Sequence, residues 1–397
     1  MKSKAVQLKI LICIILVTFL AGCSGSRELN ALSIVMGAGI DKSTEKPGEI
    51  LLTAQIVKPS KIKSASSESS TASSPGGGTQ REKAYWNLQA SGKTVFDAAR
   101  ETTHQTNNKL YFAHNKVVVI GKDVAMAGIE KPLDFFIRLV EPRPTTVILI
   151  SSTTAAEVLD AQPQLDILPA INLSKLTESQ EFTSQSRKVD LVDYTNAMLS
   201  KTTSLVIPMV SVHEKDGEKT VMIHESVGAV FKRDKMVGEL SEEEFRGMNW
   251  VKGQVKSTVL NIPYRDGKIG IEVKKAESDI GVELKDGKVT VKAKIKQEGI
   301  AVDNETSTDI ANLSSFADLE KLESDYIKNE IIETFNKARS MNTDIYGIGE
   351  MVHKKYPAEW KDMEDKWDSI FPSIQLELAV TSKLTSTGLA SKPAVPE

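Results

Sequence analysis

Apolar residues gather in short runs along most of this chain, and the spacing inside each run separates strands from helices. Residues 32–40 (LSIVMGAGI) and 50–57 (ILLTAQIV) are near-continuous apolar runs of strand length joined through Pro47-Gly48, and they predict a pair of buried strands. Residues 84–90 predict a further strand of the same sheet. The intervening residues 60–80 are serine-rich and carry Gly76-Gly77-Gly78. They hold too little apolar surface to offset ordering entropy, so a disordered loop inserted between strands is expected. Val95, Ala98 and Ala99 share one face of a predicted helix over 94–106. Residues 109–120 (KLYFAHNKVVVI) predict one strand ending at Gly121, and 145–151 another. Helices are predicted over 124–128, 132–139, 153–159, 165–176 and 189–199. Alternating strands and helices give this part α/β or α+β character.

The pattern changes near Leu205. Strands are predicted over 206–213, 220–232 and 235–240, then in two hairpins, 259–264 with 269–273 and 280–285 with 288–297. Asp216-Gly217, Asp266-Gly267 and Asp286-Gly287 supply the hairpin turns. Val289, Val291, Ala293 and Ile295 alternate with Lys288, Lys292, Lys294 and Lys296, which puts one face in a core and one in water. Ser241 reads as a helix N-cap with Glu244 at the capping-box position. Residues 315–338 form the clearest helix, with Phe316, Leu319, Leu322, Tyr326, Ile331 and Phe335 near helical spacing. Helices over 344–355 and 359–368, and a strand over 374–380, close the chain. The fold class expected is α+β: a three-domain ectodomain of mixed, mostly antiparallel sheets with flanking helices. Its domains are expected at 23–200, 201–255 and 256–385, followed by a flexible tail at 386–397.

The first residues change where this fold is expected to work. Lys2, Lys4 and Lys9 precede an apolar run over residues 10–20, which is too short to span a bilayer as a helix. Leu20-Ala21-Gly22-Cys23 then matches the pattern of small residues before a cysteine that marks a lipobox. Residues 1–22 are therefore expected to be a lipoprotein signal peptide, cleaved between Gly22 and Cys23, with a diacylglyceryl lipid on Cys23. The competing reading is an ordinary signal peptide followed by a chance cysteine. Cys13 lies in the apolar run, so a chain processed in this way has no thiol left in its folded part. That excludes disulfides, Cys-ligated metals and cysteine nucleophiles. The formal net charge of -3 moves to about -6 once the three lysines of residues 1–22 are gone. This balance argues against nucleic acid as a partner and against electrostatic adhesion to anionic lipid.

Motifs that carry chemistry are missing. Gly37-Ala38-Gly39 follows a strand, but Lys42 stands where a dinucleotide fingerprint needs its third glycine. No phosphate-binding GxxxxGK[ST] loop and no GxSxG elbow occur. His213-Glu214 and His224-Glu225 begin like zinc-protease motifs, but Gly217 and Gly228 occupy the second histidine's place. The five histidines, His104, His114, His213, His224 and His353, are scattered and read as structural or surface residues. Glu242-Glu243-Glu244 reads as a solvated helix N-terminus, and Asn115-Lys116 as an edge or turn. Trp360, Trp367 and Trp250 read as packing residues, and Trp86 as less buried. No catalytic residue, metal site or cofactor beyond the lipid is expected, and the chain is not expected to be an enzyme.

Several blocks together carry a family resemblance that runs along most of the chain. They are Arg27-Glu28-Leu29-Asn30-Ala31-Leu32, Gly37-Ala38-Gly39-Ile40-Asp41, Lys109-Leu110-Tyr111-Phe112-Ala113-His114-Asn115-Lys116-Val117 and Leu133-Asp134-Phe135-Phe136-Ile137-Arg138. Gly228-Ala229-Val230-Phe231-Lys232 with Val237-Gly238 follows, and then Tyr356-Pro357, Trp360, Trp367 and Ile370-Phe371-Pro372. The chain resembles the Ger(x)C family, the C-subunit lipoproteins of nutrient germinant receptors in endospore-forming bacteria. Ser24 departs from the aromatic residue that often follows the lipidated cysteine there, and the serine-rich loop is long. The resemblance implies a lipid-anchored, non-enzymatic subunit on the outer face of the inner spore membrane. It implies a multi-pass membrane A subunit and a permease-like B subunit as partners in nutrient-triggered germination. The alternative is a solute-binding lipoprotein of a membrane transporter, which normally needs two α/β lobes around a hinge. A surface hydrolase would need a nucleophile or metal set that the sequence lacks.

Overall fold

The computed structural model describes residues 32–62, 83–215, 217–310 and 313–386. The expected signal peptide, Gly22 and Cys23, most of the 60–80 loop and the tail beyond Ser386 lie outside the described residues.

The first strand, β1 (Leu32–Lys42), pairs antiparallel with β2 (Ile50–Val57), and β2 with β3 (Tyr85–Gly92). Helix α1 (Val95–Glu101) follows, capped by the Thr94 side chain. The predicted strand over 109–120 is two strands, β4 (Lys109–Tyr111) and β5 (Val117–Gly121). Both run parallel to β1, β4 along residues 32–34 and β5 along residues 37–40. The break has a packing cause. Phe112 leaves the sheet plane to bury its ring against Phe135 and Phe136. The chain then turns, with Asn115 N donating to Phe112 O at 3.0 Å, and rejoins β1 through Lys116 N and Met36 O at 2.8 Å.

Helices α2 (Lys122–Ala127) and α3 (Glu130–Arg138) lead to β6 (Val147–Ser151), which runs parallel to β5. Helices α4 (Ala155–Asp160), α5 (Pro169–Ser179) and α6 (Leu191–Leu199) follow. Strands β5 and β6 are buried throughout because both of their faces are covered. Val118, Ile120, Ile148 and Ile150 pack with Ala98, Val124, Leu133, Phe136 and Tyr194. Val117, Val119, Val147 and Leu149 pack on the opposite face with Val158, Leu159 and Leu173.

Strands β7 (Val206–Lys215), β8 (Glu218–Lys232) and β9 (Lys235–Leu240) do not form a sheet of their own. β7 bonds parallel to β6 through Ile150–Met209 and Ser151–Val210, so one sheet runs in the order β3-β2-β1-β5-β6-β7-β8-β9. The boundary expected between residues 200 and 201 therefore falls inside a continuous sheet. Two parallel residue pairs suffice for the join, and no composition signal marks them.

Helix α7 (Glu242–Lys252) has the expected capping box from Ser241 and Glu244 and ends on Gly253 in the left-handed region. A second sheet follows in the order β10-β11-β12-β13. It comprises β10 (Thr258–Tyr264), β11 (Gly267–Lys285), β12 (Lys288–Asn304) and, after four helices, β13 (Gln375–Ser386). Those helices are α8 (Leu313–Ser340), α9 (Ile348–Lys355), α10 (Pro357–Met363) and α11 (Trp367–Ile370). The segments 269–273 and 280–285, expected as separate strands, are parts of the single 19-residue strand β11. Among the described residues, six of the eleven strand pairings are antiparallel, and both sheets are mixed. The fold is α+β, as expected.

Candidate functional site

The residues that carry the sequence motifs build the fold first. A Cβ on Gly37 would stand 2.9 Å from Ala170 Cβ, and one on Gly39 3.0 Å from Leu159 Cδ1, so these glycines let α4 and α5 close onto β1. Asp41 ends the same motif. Its carboxylate accepts the N–H groups of Ala155 at 2.8 Å and Ala156 at 3.0 Å at the start of α4. Burial raises the Asp41 pKa, partly opposed by those two hydrogen bonds. Leu110, Phe112, Leu133 and Phe136 are core residues. Trp360 and Trp367 meet at 5.1 Å between ring centroids and are buried, and Trp367 continues onto Phe371.

The candidate chemical residues remain apart. His104 is exposed beside Glu101, His213 Nε2 lies 2.9 Å from Ser211 Oγ, and His353 stacks on Trp360. His114 lies edge-on to Tyr111. Among the described residues no group of three His, Cys, Asp or Glu side chains could hold a metal ion. Glu244 completes its cap and also receives the Lys337 ammonium at 2.5 Å. Asn115 lies in a turn as expected but is buried, and its side-chain amide has no hydrogen-bond partner among the described residues. Trp86 is exposed as expected.

Two concave regions among the described residues draw several elements together. One is a groove of about 770 Å³ that brings together the blocks at 109–112 and 135–139. Phe96, Phe135, Leu139 and Leu32 line it, and Phe96 is 51% exposed. Lys109 pairs with Glu141 at 2.9 Å on its rim.

The other surface is the polar seam where the first sheet meets the helices of the second. Residues 200–204, between α6 and β7, bond to residues 344–350. Ser204 N donates to Asp344 O at 2.9 Å, and Ser200 Oγ to Glu350 Oε1 at 2.7 Å. Lys201 pairs with Glu364 at 2.9 Å and Lys232 with Asp368 at 3.1 Å. The buried Asp344 carboxylate accepts the N–H groups of Ile348 and Gly349, both at 2.8 Å, and so caps α9. Burial raises its pKa to about 6 against those bonds. Cavities of about 400 Å³ and 590 Å³ flank residues 200–204. Lys252, in the smaller one, is pushed down to about 8, first by burial and then by Arg187.

None of the seam was read from the sequence. The N-cap of α9 is Gly347, and Asp344 lies three residues before it, outside the usual capping position, so no local signal marked it. Further buried charges were also missed. Arg246 on α7 pairs with Glu330 on α8, and Trp250 Nε1 donates to the same carboxylate at 3.1 Å. Burial, partly offset by the Arg246 contact, raises the Glu330 pKa.

Comparison with known proteins follows this architecture along the whole chain. A family model described as "Spore germination protein N-terminal domain" matches residues 25–212, and one described as "Spore germination B3/ GerAC like, C-terminal" matches residues 226–388. Spore germination protein KC of Bacillus subtilis (strain 168) is 23% identical over 95% of each chain. Spore germination protein YndF of the same strain is 25% identical, over 98% of this chain and 99% of that one. Spore germination protein B3 is 22% identical over 94% and 96%. Among solved structures, the crystal structure of the GerBC protein superposes with a TM-score of 0.53 at 18% identity, covering 88% of this chain and 96% of that one. At that identity the superposition speaks for the fold.

Proposed function

Because the chain belongs to the GerAC-like spore germination family, we propose that it works in germination as a lipid-anchored, non-enzymatic subunit of a germinant receptor complex. One observation carries this reading. The two family models match in order and together span nearly all of the chain from residue 25 to residue 388. The reading assigns Cys23 a diacylglyceryl lipid after cleavage at Gly22. It places the folded part on the outer face of the inner spore membrane, beside a multi-pass A subunit and a permease-like B subunit.

Three features support it. Leu20-Ala21-Gly22-Cys23 ends two positions before the first matched residue, Gly25. No helix among the described residues is long and apolar enough to cross a membrane, so a lipid on Cys23 would supply attachment that those helices do not. The family blocks serve core packing, helix capping and surface grooves, which suits a subunit that holds partners in place. The transporter alternative finds no such support: the relatives named above are all called spore germination proteins. An in-frame deletion tests the proposal. Spores lacking the chain should lose or slow their response to at least one nutrient, and normal responses to every nutrient without a covering paralogue would refute it.

A further inference from the structure

The smaller seam cavity holds two cations, Lys252 and Arg187, that keep hydrogen-bond donors to spare beside the acids Asp193 and Glu350. Lys252 Nζ makes one hydrogen bond, to Ile345 O at 3.2 Å, and no ion pair among the described residues. Arg187 reaches Asp193 only at 3.7 Å and Gln254 Oε1 at 3.4 Å. The acids around them accept other hydrogen bonds as well. Asp193 accepts from Asp190 N in a capping box, Glu350 accepts from Ser200 Oγ, and Asp344 caps α9. Part of the cavity wall is apolar, with Leu205, Val206 and Met248 buried. We propose that this cavity binds a small organic carboxylate, its anionic head between Lys252 and Arg187 and its short aliphatic body against Leu205, Val206 and Met248.

The chemistry follows from the partners. An ammonium offers three donors, and Lys252 uses one, so a carboxylate can take the others while relieving the repulsion from Arg187. The volume of about 400 Å³ lies at the lower end for small-molecule sites and has room for a molecule with one charged and one apolar end. The groups facing Lys252 are Arg187 ahead of α6, Asp193 on α6, Asp344 ahead of α9 and Glu350 on α9. As pH rises, Asp344 gains its negative charge through about 6 and Lys252 loses its positive charge through about 8, and both changes weaken binding.

Thermal-shift titration of the full-length chain in detergent provides the test, with butyrate as probe. Butyramide, which lacks the charge, chloride at equal ionic strength, and inorganic phosphate are the other arms. Butyrate should stabilise saturably and butyramide and chloride should not. Lys252→Met and, separately, the partly exposed Arg187→Met should each weaken butyrate by at least about tenfold. Equal stabilisation by butyramide, undiminished affinity in folded Lys252→Met and Arg187→Met, or saturation by phosphate without butyrate would each overturn the assignment.

Discussion

Glu323 sits in the buried stripe of α8 with Leu319, Ile327 and Ile331, yet neither of its carboxylate oxygens has a hydrogen-bond partner among the described residues. Burial raises its pKa to about 8 from an ordinary 4.5. The folded state therefore holds this proton more tightly than the unfolded state. Its favourable contribution is complete below about 4.5 and is lost as pH rises through about 8. Glu323→Gln removes that loss. Urea unfolding at pH 5.5, 7 and 8.5 should show the variant gaining on the wild type by on the order of 1 kcal/mol per pH unit, and parallel pH profiles would contradict this. Glu330 is the opposite case, a buried acid that is paired. Glu330→Ala strands Arg246 without its counter-charge and should cost about 3–5 kcal/mol, whereas replacing both residues by apolar ones should recover much of it. Cys23→Ala belongs to the same scale. On the proposed lipid anchor, two acyl chains would hold far better than one, at about 0.8 kcal/mol per buried methylene. The variant should leave the membrane fraction while its melting temperature stays unchanged, and full membrane retention would mean that partners rather than lipid hold the chain.

Elements were legible where one period ruled and obscure where polarity or packing overrode it. The buried strands β1, β2 and β6, the capping box of α7 and the alternation in β12 were all plain in the apolar pattern. Residues 274–279 (KKAESD) hid the middle of β11, because every residue there is polar or small. Opposite charges face one another along the ladder there, Lys275 opposite Glu298, Glu277 opposite Lys296 and Asp279 opposite Lys294, while Lys275 itself pairs with Glu277 on its own strand at 2.6 Å. Conversely, uniform β propensity hid the turn between β4 and β5, which only the burial of Phe112 against α3 explains. The contact between α7 and α8 was invisible, since it depends on a glycine inside a helix. A Cβ at Gly247 would stand 2.5 Å from Glu330 O and would strike Thr334, whose hydroxyl donates to Glu244 O at 3.0 Å. Gly247→Val should therefore force these helices apart and cost about 1–3 kcal/mol, measured by urea unfolding. A change within error would show that α8 can shift freely.

At the scale of the whole molecule, one sheet crosses the boundary that composition suggested, and the second sheet locks to it through α7 and the seam at Asp344. The candidate site was the least legible part, because it draws on residues 187–204, 252 and 344–350, which no local motif connects. The family blocks, by contrast, were readable because each is contiguous. This architecture leaves the groove at Phe96 and Phe135 and the seam open for partners, with the first described residue, Leu32, at the groove and nine positions beyond Cys23. Fully extended, that span reaches about 30 Å, so a lipid on Cys23 would keep the first sheet close to the bilayer. Membership of a membrane receptor complex is tested most directly by cross-linking in intact spores followed by mass spectrometry. Cross-links from this chain to a multi-pass membrane subunit and a permease-like subunit are expected. Recovery of this chain without either partner, from spores in which both are expressed, would contradict it.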